Sequence, residues 1–261
     1  MKKYGEMVLM SVWCVAAMHA MDTTVTANTK PEVGIDEHLG AVLPLNLTFT
    51  DYKGNHVALK DVIKKPTILN FVYYKCPGIC SPIMTELASV VDHLDMQIGK
   101  DYQILTISFD QHETTALASA KHDSYMSLLD KKIPDGSWDF MTGDSASIHT
   151  LTDAAGFIFK RQGNQFLHGG CIIAISPKGK IARYLYGTEY LPFDVKMALT
   201  EASEGRTGPT IAKVLSMCFS YDPAGRRYAF DFTRVAGGIV LVFTVGIVVY
   251  FSVKPKKKVK S

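Results

Sequence analysis

The stretch Lys75-Cys76-Pro77-Gly78-Ile79-Cys80-Ser81-Pro82 sets two thiols on either side of a Pro-Gly turn, with three residues between them. Three chemistries begin from such a pair: a structural disulfide, a redox dithiol and half of a metal site. A disulfide here would close a very short loop, and because loop-closure entropy grows with loop length it would restrain little of the unfolded chain. A redox dithiol is favoured where thiolates meet the dipole and unpaired N–H groups of a helix start. The spacing, however, is one residue longer than the Cys-X-X-Cys of thioredoxin-type enzymes. As ligands, two soft thiolates on one turn suit Cu(I), and a neutral imidazole would complete a three-coordinate site that also holds Cu(II) with an added ligand.

The elements around the pair say how it would be presented. Pro66 to Tyr74 is a near-continuous β-branched and aromatic run, expected of a strand buried on both faces. After the cysteines, Ile83, Leu87, Val90, Val91 and Leu94 recur at helical spacing, so the loop joins a central strand to a helix. Upstream, residues 45–49 and 57–59 flank an Asp-Tyr-Lys-Gly-Asn turn and predict a hairpin. Downstream, residues 103–109 and 138–141 predict strands, followed by helices over 114–129 and 145–155. Residues 157–161 and a Gln-Gly-Asn turn lead to a second hairpin over 170–175 and 181–186, and a helix from about Pro192 to Ala202 closes the domain. Parallel strands with helical crossovers, then a hairpin and helix, describe an α/β thioredoxin-like sandwich with an N-terminal hairpin.

A third ligand must come from eight histidines. His19 and His38 lie in the expected signal and leader. His56, His93, His112, His122 and His149 fall in turns or helices with polar neighbours and read as solvated surface. His168, in Phe166-Leu-His-Gly-Gly170, directly precedes a strand near the end of the fold. In thioredoxin-like folds that loop faces the cysteine turn, and thiol reductases usually carry a proline there; this chain has histidine. Spacing alone leaves its role open. Cys171 follows three residues later and reads as a core cysteine, while Cys218 is a free thiol or an intermolecular link.

The combination of FVYYKCPGICSPIM, TISFD, a histidine 88 residues beyond Cys80, and the PKGKIARYLYG hairpin resembles the Sco/SenC family of membrane-anchored copper chaperones over roughly residues 40–202. The resemblance implies a thioredoxin-like fold in which Cys76, Cys80 and His168 bind copper as Cu(I), Cu(II) or both. It also implies assistance to assembly of the dinuclear copper centre of cytochrome c oxidase subunit II, by delivering copper or by reducing that subunit's cysteines. The partners implied are subunit II or a similar copper acceptor, and an upstream copper donor or thiol reductase. Asp110 matches an acidic family position and is left outside the site.

The two ends set the expected location. Residues 1–20 combine Lys2 and Lys3 with a short apolar run, the pattern of a signal peptide with Cys14 as a passenger, and 21–40 reads as a leader. The copper-binding domain is expected over 41–202 and a juxtamembrane connector over 203–234. Residues 235–253 carry no charge over 19 positions, about 28 Å of helix and close to a bilayer's hydrocarbon thickness, and predict one C-terminal transmembrane helix. The lysine-rich tail, 254–261, then stays in the cytoplasm by the positive-inside rule. This topology predicts a bacterial inner-membrane protein with its domain in the periplasm. Family members are commonly held by an N-terminal membrane helix, so a C-terminal anchor departs from that pattern.

Without the lysines of the two ends and Glu6, residues 21–253 hold 21 basic and 24 acidic side chains, which leaves no basic excess for nucleic-acid phosphates and argues against a nucleic-acid role. The reading is a metallochaperone rather than an enzyme. Its alternative is an exported thiol-disulfide oxidoreductase, in which one of Cys76 and Cys80 attacks a partner's disulfide and the other resolves the intermediate.

Overall fold

The computed structural model describes residues 32–208, 219–222, 227–230 and 244. The expected signal peptide, the expected transmembrane segment apart from Thr244, the basic tail and Cys218 lie outside the described residues. Among the described residues no helix is long and apolar enough to cross a membrane.

The strands are β1 (Gly34–Ile35), β2 (Thr48–Asp51), β3 (His56–Ala58), β4 (Thr67–Val72), β5 (Gln103–Ser108), β6 (Trp138–Thr142), β7 (Phe157–Ile158), β8 (Lys160–Gln162), β9 (Gln165–Leu167), β10 (Cys171–Ile175), β11 (Ile181–Tyr186), β12 (Phe219–Asp222) and β13 (Arg227–Phe230). The helices are α1 (Leu59–Val62), α2 (Cys80–His93), α3 (Thr115–Met126), α4 (Ser145–Ala154) and α5 (Pro192–Ser203). Seven strands form one sheet in the order β11-β10-β4-β5-β6-β2-β3. Within it β4, β5 and β6 run parallel, and β10 and β11 form the antiparallel hairpin on β4.

Every residue of β4 and β5 is buried, as expected of central strands covered on both faces, with the polar Asn70, Gln103 and Ser108 buried among apolar and β-branched neighbours. Helix α2 turns Ile83, Met84, Leu87, Ala88, Val90 and Val91 inward and packs beside α3 and α5, so the three share a layer. Thr114 caps α3 through Oγ1, which accepts from Leu117 N–H, and Asp144 caps α4 by accepting from Ala146 and Ser147. Helix α2 has no such side-chain oxygen at its start.

Two segments carry more structure than their sequences announce. Within the expected leader, β1 pairs with β7, Asp36 N donates to Gly156 O at 2.8 Å, His38 N donates to Tyr184 Oη at 3.0 Å and Gly40 N to Ile181 O at 2.9 Å. Such a segment shows no apolar period of its own because backbone edges of distant strands fix it. Gly156 sits at φ +62°, and a Cβ there would meet Asp36 O at 1.7 Å, so the approach requires glycine. Beyond α5 the chain stays on the domain as far as Gly208, whose N–H donates to Ala182 O. In the expected connector, β12 and β13 pair antiparallel.

Candidate metal centre

The antiparallel register Ile172↔Asn70 and Ile175↔Thr67 brings the start of β10 beside the end of β4. The loop leaving β4, residues 73–79, and the loop entering β10, residues 168–170, therefore emerge at the same end of the sheet. Cys76 and His168 come from these loops and Cys80 is the first residue of α2. Gly170 permits the approach, since a Cβ there would lie 3.1 Å from Gly187 O and 3.5 Å from the Ile79 and Ile83 methyls.

The three expected ligands meet. Cys80 Sγ lies 3.5 Å from His168 Nε2, and the donor atoms of Cys76, Cys80 and His168 all fall within 4.8 Å of one another. Metal bonds to thiolate and imidazole run about 2.0–2.3 Å. Three donors in a plane around one ion would then stand roughly 3.8 Å apart, so the triangle needs at most about 1 Å of closure. Both cysteines are free thiols, and Cys76 is partly exposed while Cys80 is 4% exposed. One sulfur thus faces outward, from where an ion could be handed over.

Helix α2 has Cys76 where α3 and α4 have a side-chain oxygen. Burial pushes the Cys76 thiol up, but hydrogen bonds from the backbone N–H of Cys80, the Cys80 thiol, the backbone N–H of Gly78 and the Tyr73 hydroxyl more than offset it and hold the pKa below its ordinary value. The Gly78 contact is 3.3 Å. Burial dominates at Cys80 and raises its pKa far above the usual thiol range, only partly countered by a backbone hydrogen bond from Tyr73. The pair therefore divides into a thiolate-prone outer sulfur and a protonated inner one.

His168 is held neutral. Burial lowers its pKa, opposed by the hydrogen bond between Nδ1 and Gly169 O at 3.0 Å. Because a carbonyl only accepts, Nδ1 carries the proton and Nε2 turns its lone pair to Cys80, the tautomer that a metal ligand needs. Aromatic rings fix the imidazole: Tyr73 edge-on at 5.9 Å, Phe109 at 5.1 Å and Phe157 at 6.0 Å. Tyr73 also packs on Phe109 and Phe166, and its phenol pKa rises to about 12 through burial and its bond to Cys76.

Other residues singled out in the sequence lie elsewhere. Asp110 accepts from His112 N at 3.1 Å and faces Arg161 at 3.4 Å. Cys171 is 2% exposed and its thiol pKa is raised by burial, as a core cysteine requires. His122 departs from the solvated reading: it stacks on Tyr52 at 3.8 Å, and its side chain is 15% exposed. His38 is half-buried, with Nδ1 3.0 Å from Ala154 O, and His149 stacks on Phe159 at 5.3 Å. Among the described residues no other group of three or more His, Cys, Asp or Glu side chains could hold a metal ion. Two surface clefts of about 510 Å³ and 330 Å³ contain neither cysteine nor His168. The aromatic cage and the carboxylate of Glu113, which accepts from Tyr74 and Lys75, went unread in the sequence. The Ser108-Phe-Asp-Gln-His-Glu113 run leaving β5 is where a signal lay.

A parallel core flanked by a strand-to-helix cysteine turn, faced by a histidine before the antiparallel hairpin, defines a thioredoxin-like domain with a Cys₂His centre fit for a metal ion. The sequence model of the SCO1/SenC family matches residues 41–201, and the chain belongs to that family. It is 24% identical over 160 residues to the SCO1 protein homolog of Bacillus subtilis (strain 168), covering 58% of this chain and 80% of that protein. A putative electron transfer protein from Aquifex aeolicus VF5 is similar in structure with a TM-score of 0.58 and 30% identity, over 64% of this chain and 95% of that one. Arabidopsis thaliana ScoI, solved with copper bound, shares the fold with a TM-score of 0.50 and 19% identity, over 60% of this chain and 96% of that one.

Proposed function

We propose that this chain is a copper chaperone that takes one copper ion on Cys76, Cys80 and His168 and passes it to an acceptor in cytochrome c oxidase assembly. The observation that carries the reading is the triangle itself: two soft sulfurs and a neutral imidazole within 4.8 Å, the donor set that suits Cu(I). Transfer proceeds by ligand exchange at the partly exposed Cys76, where an acceptor thiolate or imidazole replaces one bond at a time. Loading requires both thiols reduced and releases their protons. Family membership supports this role, with the dinuclear copper centre of subunit II as the acceptor. The proposed location, a bacterial inner membrane with the domain in the periplasm, rests on the charge pattern of the two ends of the sequence.

A second reading has its own observation: Cys76, held below the usual thiol pKa, beside protonated Cys80 is the arrangement of an attacking and a resolving thiol. The test titrates the reduced, anaerobic protein with Cu(I) against a chelating competitor, beside Cys76→Ser and Cys80→Ser. One copper per chain, lost in either variant, is the expected result. Absence of competitive binding together with rapid reduction of a disulfide substrate would replace the chaperone reading with thiol exchange.

A further inference from the structure

The last parallel ladder bond before the cysteine loop is Phe109 N to Val72 O at 2.8 Å. Beyond it β4 has no strand partner for the N–H groups of Tyr74, which is buried, or Lys75. The Glu113 carboxylate meets both. Oε2 accepts from Tyr74 N at 2.7 Å and Oε1 from Lys75 N at 2.8 Å, and the Ser108 hydroxyl donates to Oε2 at 2.6 Å. Glu113 is 7% exposed, and its own N–H donates to Asp110 O at 3.0 Å, which ties it to the loop leaving β5. A buried carboxylate is costly, and hydrogen bonds to an ionised acceptor are about twice as strong as neutral ones. This one is spent on the two residues directly before the first ligand, while Cys76 N closes a turn on Tyr73 O at 3.0 Å.

We propose that Glu113 is the positioning residue of the metal centre, clamping the backbone at Tyr74 and Lys75 so that Cys76 is already aimed at Cys80 and His168 before an ion arrives. The role deepens the chaperone reading and rests on it for the identity of the ion. Without the clamp, two N–H groups lose their partner, the 73–79 loop gains freedom, and that entropy is charged against each binding event. Ser108 orients the carboxylate, so its loss is felt less than that of Glu113.

The test compares Glu113→Gln, Glu113→Ala and Ser108→Ala with Glu201→Gln, which disturbs the buried Arg183–Glu201 pair and serves as a control for lost stability. Amide hydrogen exchange at Tyr74 and Lys75 reads the clamp without any metal, and Cu(I) competition reads its consequence. The Glu113 variants are expected to exchange at least ~10-fold faster at those two amides than global unfolding accounts for. They should also lose about 10–100-fold in copper affinity, the range found when partners behind metal ligands are removed. The Ser108 variant should fall between them and the wild type, and the Glu201 variant should keep its copper affinity. Unchanged exchange at Tyr74 and Lys75, or an equal loss of affinity in the Glu201 control, overturns the inference. If the wild type binds no copper, the chaperone reading fails separately; the amide exchange, together with the rate of Cys76–Cys80 disulfide closure, still decides the clamp.

Discussion

Replacing His168 by alanine removes one of three donors from the triangle. The remaining sulfurs can still hold an ion between them, so affinity should fall rather than vanish. Loss of a partner behind a ligand costs about 10–100-fold in affinity, and loss of the ligand itself should reach at least the upper end, about 2.7 kcal/mol. The ring also fills space between Tyr73, Phe109 and Phe157, so His168→Ala lowers stability as well, by roughly 1–3 kcal/mol. His168→Gln, which keeps much of the bulk, separates packing from ligation. The assay is anaerobic Cu(I) competition on reduced protein well below the melting temperature, repeated across pH. Burial holds the His168 pKa below 6.5, so protons displace copper from this imidazole only below the pH at which they would reach an exposed one. Wild-type affinity should therefore carry little histidine-dependent loss between pH 7.5 and 6.5. A change smaller than about threefold in both variants, with the fold intact, would refute His168 as a ligand.

Three further outcomes are expected. Iodoacetamide at pH 7 should modify Cys76 at least ~10-fold faster than Cys80, because the outer thiol ionises more readily and is reachable; equal rates measured by peptide mass spectrometry would contradict the division of the pair. Glu201→Ala should destabilise the domain by about 3–5 kcal/mol in denaturant melts by stranding the buried Arg183 charge, and Arg183→Met with Glu201→Leu should recover most of that; failure of the double variant to recover would show that the pair acts otherwise. Asp139 has its pKa raised to about 6, first by burial and then by Asp51, so its protonated form favours folding below the unfolded value of 3.8, and that contribution is lost as pH rises through 6. Asp139→Asn should match the wild type near pH 4 and exceed it by about 1–2 kcal/mol at pH 7.5, short of the ~3 kcal/mol ceiling for a dry site; a gap independent of pH would exclude the carboxyl as its cause.

The interior strands were legible because burial on both faces leaves short runs dominated by apolar and β-branched residues, interrupted by Asn70 in β4 and by the terminal Gln103 and Ser108 in β5. The hairpins were legible because their turns demand particular residues, and α2 because one face repeats every three to four positions. Segments stabilised by someone else's backbone were not. The strand at Gly34–Ile35 earns its place through β7, and no periodicity in its own residues could announce it. His122 was misread for a related reason, since its partner Tyr52 stands 70 residues away.

Residue type and local spacing settled what chemistry was on offer: two thiols on a turn opening a helix, and a histidine placed before a strand. These are properties of a short stretch of chain. Assembly of the centre was decided by the antiparallel register of β10 on β4, which carries His168 across 88 residues to within 3.5 Å of Cys80. The asymmetry of the two sulfurs was decided there too. Solvent exposure, the N–H groups of α2, the Tyr73 hydroxyl and the Glu113 clamp converge from separate elements, and electrostatics at a site depends on distance in space rather than along the chain.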